Sequence, residues 1–223
     1  MKKDELAKMI DHTVVKPDAT IVDVNRACEE AISFGFGVVC VAPTWVSLVV
    51  KSLAGTGVRV GTVAGFPHGS TLTVVKSVEA STMIEAGADE IDMVLPIGAL
   101  KSDEAEVVQM DIAFISDLVH RKPGAIVKVI LETPLLTDDE IELACYLAEQ
   151  AGADFVKTAT GFAGGGATIE AVKLMRKTVG DRLGVKAAGG IHDYQTAKAM
   201  IDAGASRIGA SRSVAIMESF VEE

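Results

Sequence analysis

Aromatic residues are scarce in this chain. One Trp, two Tyr and seven Phe make up 4% of its 223 residues, although 49% are hydrophobic. The core must therefore be built from Val, Ile, Ala and Leu, a composition that suits parallel strands buried on both faces. Cysteine is scarce too. Cys28, Cys40 and Cys145 are odd in number and lack Cys-x-x-Cys spacing, which argues against a disulfide framework or a cysteine zinc site and for reduced thiols in a cytoplasmic protein. Long apolar runs are missing: no segment approaches the roughly 18 residues of a membrane span. The opening Met1-Lys2-Lys3-Asp4-Glu5-Leu6 leads into no apolar stretch, so no signal peptide is expected. Basic residues are the minority, 21 against 31 acidic, for a net charge of −10. With no basic run, nucleic acid is not an expected partner, and an anionic ligand would need positive groups gathered locally. His12, His68, His120 and His192 stand on separate segments without ligand spacing, so no metal is expected and each reads as a hydrogen-bonding or surface residue.

What the chain has is alternation. Short β-branched runs at 9–12, 37–41, 59–64, 90–95, 125–132, 155–158, 184–187 and 207–209 are each followed by a longer amphipathic stretch. Helices are expected at 20–34, 43–54, 71–87, 102–121, 137–151, 167–179, 193–203 and 212–221, with a short leading helix at 2–8. Eight strand–helix units in series predict an α/β fold of the (β/α)8 TIM-barrel type with a short extra N-terminal helix, as one domain over 1–223. An open doubly wound sheet is the rival, but its early Gly-x-Gly-x-x-Gly is missing and closure removes exposed edges. One phrase recurs. Ala86-Gly87-Ala88-Asp89, Ala151-Gly152-Ala153-Asp154 and Ala203-Gly204-Ala205-Ser206 each end a helical stretch and turn into a strand.

Two strands end on a lysine, Lys157 after Phe155-Val156 and Lys186 after Gly184-Val185. A buried ammonium is costly unless paired or neutralised, and two on neighbouring strands should depress each other's pKa. A neutral lysine amine attacks carbonyls. Strand alternation puts Asp92 on one face with Glu90 and Val94. An inward Asp92 would keep one lysine protonated and move protons, leaving the other nucleophilic. The bland alternative is a buried Asp–Lys pair that only fixes packing. Other chemistry-bearing residues fall at strand ends, where such barrels place their sites: Asp11, His12 and Thr13 on the first strand, Cys40 on the second, Lys128 and Glu132 on the fifth. Glycines crowd the later loops at Gly164-Gly165-Gly166, Gly189-Gly190 and Gly209 before Ser211. Such loops let backbone N–H groups approach a phosphate.

These residues resemble the deoxyribose-phosphate aldolase family, class I (Schiff-base) aldolases with a TIM-barrel fold. The carriers run nearly end to end: Ile10-Asp11-His12-Thr13, Cys40, Gly65-Phe66-Pro67-His68-Gly69, Glu90-Ile91-Asp92-Met93-Val94, Lys128 to Thr133, Phe155-Val156-Lys157-Thr158, Thr160-Gly161, Val185-Lys186-Ala187 and Gly189-Gly190-Ile191. The resemblance implies reversible cleavage of 2-deoxy-D-ribose 5-phosphate to acetaldehyde and D-glyceraldehyde 3-phosphate, without a cofactor. It implies Lys157 as the Schiff-base lysine, Lys186 as its pKa-lowering neighbour and Asp92 as the relay acid. It further implies substrate contacts from Asp11, Thr13, Cys40, Lys128 and Thr160, and a phosphate site at Gly161, Gly189, Gly190, Gly209 and Ser211. The implied partner is a small phosphorylated sugar, with neither nucleic acid nor membrane. The oligomeric state is left open, a homodimer or higher homo-oligomer being allowed.

The chain departs from the family pattern at Ala159 and Ala188, where Ser is common, at His192 for Arg, and at Arg212 for a second Ser. The two alanines are expected to face away or pack. Arg212 would either bind the phosphate bidentately or clash with it. Two other functions compete. Another Schiff-base aldolase, such as transaldolase, lacks its surrounding phrases here. A non-catalytic sugar-phosphate-binding barrel predicts a lost nucleophile or relay acid, yet Lys157, Lys186 and Asp92 are all present.

Overall fold

In a computed structural model describing residues 1–222, the strands close in sequence order into an all-parallel barrel. Helix α1 (Lys3–Met9) leads into β1 (Ile10–Val14), and α2 (Ile21–Phe34) into β2 (Val38–Val41). Then come α3 (Val46–Ser52), β3 (Arg59–Ala64), α4 (Thr73–Glu85), β4 (Glu90–Val94), α5 (Ile97–Leu100), α6 (Ala105–Val119) and β5 (Ile126–Ile130). The chain closes with α7 (Asp138–Gln150), β6 (Phe155–Lys157), α8 (Ile169–Val179), β7 (Gly184–Ala188), α9 (Tyr194–Asp202), β8 (Arg207–Ala210) and α10 (Ser213–Glu218). All eight strands fall where the β-branched runs lie. The one-turn α5 was not expected: its four residues are too few for a readable helical period. No helix among the described residues is long and apolar enough to cross a membrane. The three cysteines are free and buried.

Local chemistry starts and stops the helices. Thr20 and Thr137 accept from the amides of Asp23 and Glu140, whose carboxylates reach back to the cap amides. The recurring phrase has a structural cause. Its glycines, Gly87, Gly152 and Gly204, have φ of 108°, 75° and 115°, which end each helix in a conformation other residues avoid. Its last residue then ties the turn to the preceding strand. Asp89 accepts from Val60 N, Asp154 from Val127 N and Ser206 from Val185 N, at 3.0, 2.8 and 3.2 Å.

Outside the strands, Val, Ile, Leu and Ala pack the barrel wall against its helices. The inside is different. Besides small side chains, it holds Asp11, Glu90, Asp92, Lys128, Lys157 and Lys186, all at most 4% exposed. Burying six ionisable groups is tolerable only if they satisfy one another.

Candidate active site

Strand register sets the depth of each charged group. On β6, Lys157 stands opposite Lys186 of β7 and Ile130 of β5. Lys128 stands opposite Phe155 and Asp92, one inward-facing layer lower. Asp92 lies where the lysines converge. Its Oδ1 accepts from Lys128 Nζ at 2.8 Å, and its Oδ2 accepts from Lys157 Nζ at 2.8 Å and Lys186 Nζ at 2.7 Å. Asp11 arrives from β1, accepting from Lys186 at 2.5 Å and Arg207 at 2.6 Å. Glu90 closes the bottom of the cluster, 2.5 Å from Lys128 and 3.1 Å from Arg207.

The three lysines are not electrostatically alike. Burial pulls the Lys157 pKa below the ordinary 10.5; Asp92 opposes this and the Lys186 charge reinforces it. Burial also works against Lys186, but Asp11 and Asp92 outweigh it and hold its pKa above 10.5. Lys128 lies higher still, with burial overcome by Asp92, Asp11 and Glu90. The expected mutual depression therefore holds for Lys157 and fails for Lys186. The reason is Asp11, brought against Lys186 only by closure of β8 onto β1. Burial resists ionisation of Asp92, yet Lys128, Lys157 and Lys186 keep its pKa well below 3.8. Asp11 is lowered to about 2, burial being outweighed by Lys186, Lys128 and Arg207.

Above the cluster, at the carboxyl ends of the strands, opens a cavity of about 410 Å³. Its walls include Thr13, Cys40, Lys157, Thr160, Gly161, Gly189, Gly190, Gly209 and Ser211. Nine of the thirteen expected site residues therefore meet there. The other four, Asp11, Asp92, Lys128 and Lys186, lie beneath it, so Asp11 and Lys128 are not wall residues as substrate contacts would be. Lys157 is the one barrel-interior lysine that reaches the cavity. Cys40 reaches it as a thiol: burial, with Asp92 nearby, pushes its pKa up to about 11.

The glycines divide by task. Gly190 has φ of 79° and no heavy atom within 4 Å of where a Cβ would stand, so its backbone faces open space. Gly189 packs instead against Gly166, where an added Cβ would come within 2.8 Å of the Gly166 Cα. Gly165 packs against Pro134; Gly164, Gly165 and Gly166 are not among the cavity walls. Gly209 makes room for the lysine, since an added Cβ would stand 2.9 Å from Lys186 Cε.

Several wall residues were not singled out from sequence. Phe66 and Phe162 meet edge to face, ring centroids 5.3 Å apart, and with Val15 and Val63 form an apolar side. Lys16 and Asp18, on the loop after β1, stand at the rim; a Lys directly after a strand run was the available signal for Lys16. Glu132, at φ 62°, accepts from the Thr160 amide at 3.2 Å and from its hydroxyl, holding a wall residue in place. Ala159 and Ala188 are both buried, as expected, and Ala188 also borders the cavity. His192 lines it too. Arg212 does not: it faces an adjoining cavity of about 480 Å³ with Arg26 and Glu30. There His12 is hydrogen-bonded with Ser213 Oγ at 2.9 Å and Glu30 at 2.8 Å, the structural role expected of it.

Known proteins resemble this chain in sequence and fold. Residues 6–217 match the model of the DeoC/LacD family aldolases. A deoxyribose-phosphate aldolase from Geobacillus sp. (strain WCH70) is 52% identical over 216 residues, covering 97% of this chain and 96% of that one. One from Halalkalibacterium halodurans is 54% identical over 213 residues, with coverages of 95% and 94%. Among solved structures, the deoxyribose phosphate aldolase of Aeropyrum pernix, described as a unique tetramer, superposes with a TM-score of 0.91. It is 37% identical and covers 98% of this chain and 92% of its own. A family model spanning nearly the whole barrel and relatives at over half identity leave one placement: the chain belongs to the DeoC/LacD family of aldolases.

Proposed function

We propose that this chain is a deoxyribose-phosphate aldolase that cleaves 2-deoxy-D-ribose 5-phosphate reversibly, with Lys157 as the Schiff-base nucleophile. One observation carries the assignment of the lysine. Of the three lysines inside the barrel, Lys157 alone combines a lowered pKa with access to the cavity. The substrate class comes from the relatives that match the chain end to end.

The chemistry then follows from the geometry. The neutral Lys157 amine adds to the C1 aldehyde of the open-chain sugar, and loss of water leaves an iminium. The C3 hydroxyl gives up its proton, the C2–C3 bond breaks, and its electron pair flows into the iminium. D-Glyceraldehyde 3-phosphate departs, and the enamine of acetaldehyde stays on Lys157. Protonation at C2 and hydrolysis release acetaldehyde and restore the amine. Lys186, held cationic by Asp11 and Asp92, keeps a positive charge beside Lys157 throughout. Asp92 Oδ2 accepts from the nitrogens of both lysines and so stands where it can take a proton from Lys157 and return it.

The phosphate is assigned to the part of the cavity wall lined by the late-strand glycines and Ser211. Gly190, with its backbone facing open space, Gly161, Gly189 and the Ser211 hydroxyl supply neutral donors there. Lys16 supplies the positive charge that a dianion needs in a protein of net charge −10.

Borohydride trapping with 2-deoxyribose 5-phosphate, followed by peptide mapping, tests the reading. The expected result is a reduced adduct on Lys157 that is absent from Lys157→Ala. An adduct on Lys186 alone would reverse the two roles. Absence of any adduct from folded protein would refute the aldolase reading in favour of a binding barrel.

A further inference from the structure

Beside the substrate cavity lies a second one that the aldol chemistry leaves unused. It holds about 480 Å³ between the loop after β1, helix α2 and the start of α10. The two cavities are not separate: Thr13, Lys16, Asp18 and Ser211 border both. Lys16 and Ser211 are the side chains assigned above to the phosphate. A phosphate held by them therefore stands where the two cavities meet.

The charges around the second cavity differ in how far they are already engaged. Arg26 donates to Asp23 at 2.8 Å and stands 4.0 Å from Glu30. Asp23 also accepts from the Thr20 amide and hydroxyl, at 2.9 and 2.6 Å. Glu30 is hydrogen-bonded with His12, which adds no positive charge near neutrality because burial lowers its pKa below 6.5. These groups satisfy one another. Arg212 and Lys16 line the same cavity, yet among the described residues neither side chain has a hydrogen bond or an ion pair. The guanidinium fork and the ammonium are therefore free to donate to a ligand. Asp18, likewise unpaired, is the one carboxylate that opposes them.

We propose that the second cavity is a further anion subsite and that the enzyme also takes 2-deoxyribose 5-diphosphate, with the terminal phosphoryl group on Arg212. The inference rests on the aldolase reading and on the phosphate placement given with it. A guanidinium suits this ligand, because its planar fork donates two parallel hydrogen bonds to a pair of phosphoryl oxygens. The shared border decides for a diphosphate. One phosphoryl group keeps the place of the monophosphate on Lys16 and Ser211, and the other enters the second cavity. The bond changes are those of the monophosphate. The Schiff base forms at C1, the C2–C3 bond breaks, and the products are acetaldehyde and D-glyceraldehyde 3-diphosphate, with the diphosphate intact.

Titration calorimetry of the intact chain with sodium pyrophosphate and with inorganic phosphate, at constant ionic strength, tests the subsite apart from turnover. Pyrophosphate is expected to bind roughly 10-fold more tightly than phosphate and to compete with 2-deoxyribose 5-phosphate in the cleavage assay. Arg212→Gln should remove that advantage and leave kcat/KM for the monophosphate unchanged. Asp18→Asn deletes the opposing charge and should enlarge the advantage by about threefold. Opposite shifts from two exposed side chains belong to an anion subsite and not to a packing role. The wild type should cleave 2-deoxyribose 5-diphosphate, with kcat/KM roughly 10-fold lower in Arg212→Gln. Equal affinity for the two anions, an advantage that survives Arg212→Gln, pyrophosphate that binds without displacing the substrate, or a diphosphate that is not cleaved would each overturn the proposal. Borohydride trapping with the monophosphate keeps the two failures apart: an adduct on Lys157 in any of these cases leaves the aldolase reading standing and removes only the subsite.

Discussion

Replacing Lys186 with methionine should move the pH dependence of catalysis rather than abolish catalysis. Lys157 and Lys186 both donate to Asp92 Oδ2, at 2.8 and 2.7 Å, so their nitrogens are at most 5.5 Å apart. At that distance and an effective dielectric constant of ~20, their repulsion is roughly 3 kcal/mol, or about 2 pKa units. Without Lys186 the Lys157 pKa rises by that amount, and the charge of Asp92, shared among fewer cations, pushes it the same way. At pH values below the wild-type pKa of Lys157 its neutral fraction then falls by roughly 100-fold, and kcat/KM with it. The acid limb of the pH–rate profile moves up by about 2 units, so much of the lost activity returns at high pH. The assay is steady-state cleavage of 2-deoxyribose 5-phosphate across pH, with borohydride trapping at each point. Removing one member of a buried pair costs about 3–5 kcal/mol of stability, so circular dichroism must accompany each rate. An equal loss at every pH would refute the electrostatic reasoning and make Lys186 an obligatory proton carrier instead.

Other consequences are equally direct. Asp11 has a folded pKa of about 2 against an ordinary 3.8. Its stabilisation is therefore complete above pH 4 and disappears as pH falls through about 2, a share of roughly 2 kcal/mol. Asp11→Asn should be less stable than wild type at pH 6 and lose less on acidification, measured by urea unfolding at both pH values; parallel losses would contradict this. Lys16→Gln should raise KM for 2-deoxyribose 5-phosphate by roughly 10-fold, with little change in kcat and none in activity toward unphosphorylated 2-deoxyribose, whereas Lys16→Arg should retain most affinity. An equal effect on both sugars would remove Lys16 from phosphate recognition. The Cys40 thiol, at about 11, should react with iodoacetamide at pH 8 more than 100-fold slower than a free cysteine, and Cys40→Ala should retain kcat within about threefold. Rapid alkylation would show that the thiol is not held protonated.

The sequence made the barrel legible because each β-branched run is short and bounded, and because the recurring Ala-Gly-Ala phrase serves one task three times. Asp89, Asp154 and Ser206 each fasten a turn to the preceding strand. Alternation likewise put Asp92 and Lys157 on inward faces. Depth was not legible. Lys128 shares its inward orientation with Lys157, but register sets it opposite Phe155 rather than beside the cavity. That register depends on the stagger accumulated around the closed barrel, which no local pattern encodes. The Lys186–Asp11 contact joins residues 175 positions apart and exists only once β8 meets β1, so the raised pKa of Lys186 was hidden for the same reason. Arg212 was misplaced because its position, two residues after β8 ends, does not determine which of two adjoining cavities it faces.

The interior charges favour Lys157 over its neighbours as the proposed nucleophile. Three buried carboxylates, Asp11, Glu90 and Asp92, face Lys128, Lys186 and Arg207, so that set is neutral without Lys157. Lys128 approaches all three acids. Lys186 and Arg207 each approach two, while Arg59 reaches Glu90 from a partly exposed position. Lys157 has only Asp92, and shares it with two other lysines. A fourth full cation would be the least compensated charge in a space that penalises uncompensated charge heavily. Releasing a proton from Lys157 removes the least compensated charge and leaves the other pairs intact. In the proposed mechanism the nucleophile is thus the lysine with the fewest carboxylates around it. An added acid within reach of Lys157 should silence it near neutral pH: Cys40→Asp, on the cavity wall and near enough to bear on the Lys157 charge, would hold the ammonium charged. Folded Cys40→Asp protein should give little borohydride-trapped adduct at pH 7 and recover trapping as pH rises; undiminished trapping at pH 7 would show that the carboxylate count does not set the state of Lys157.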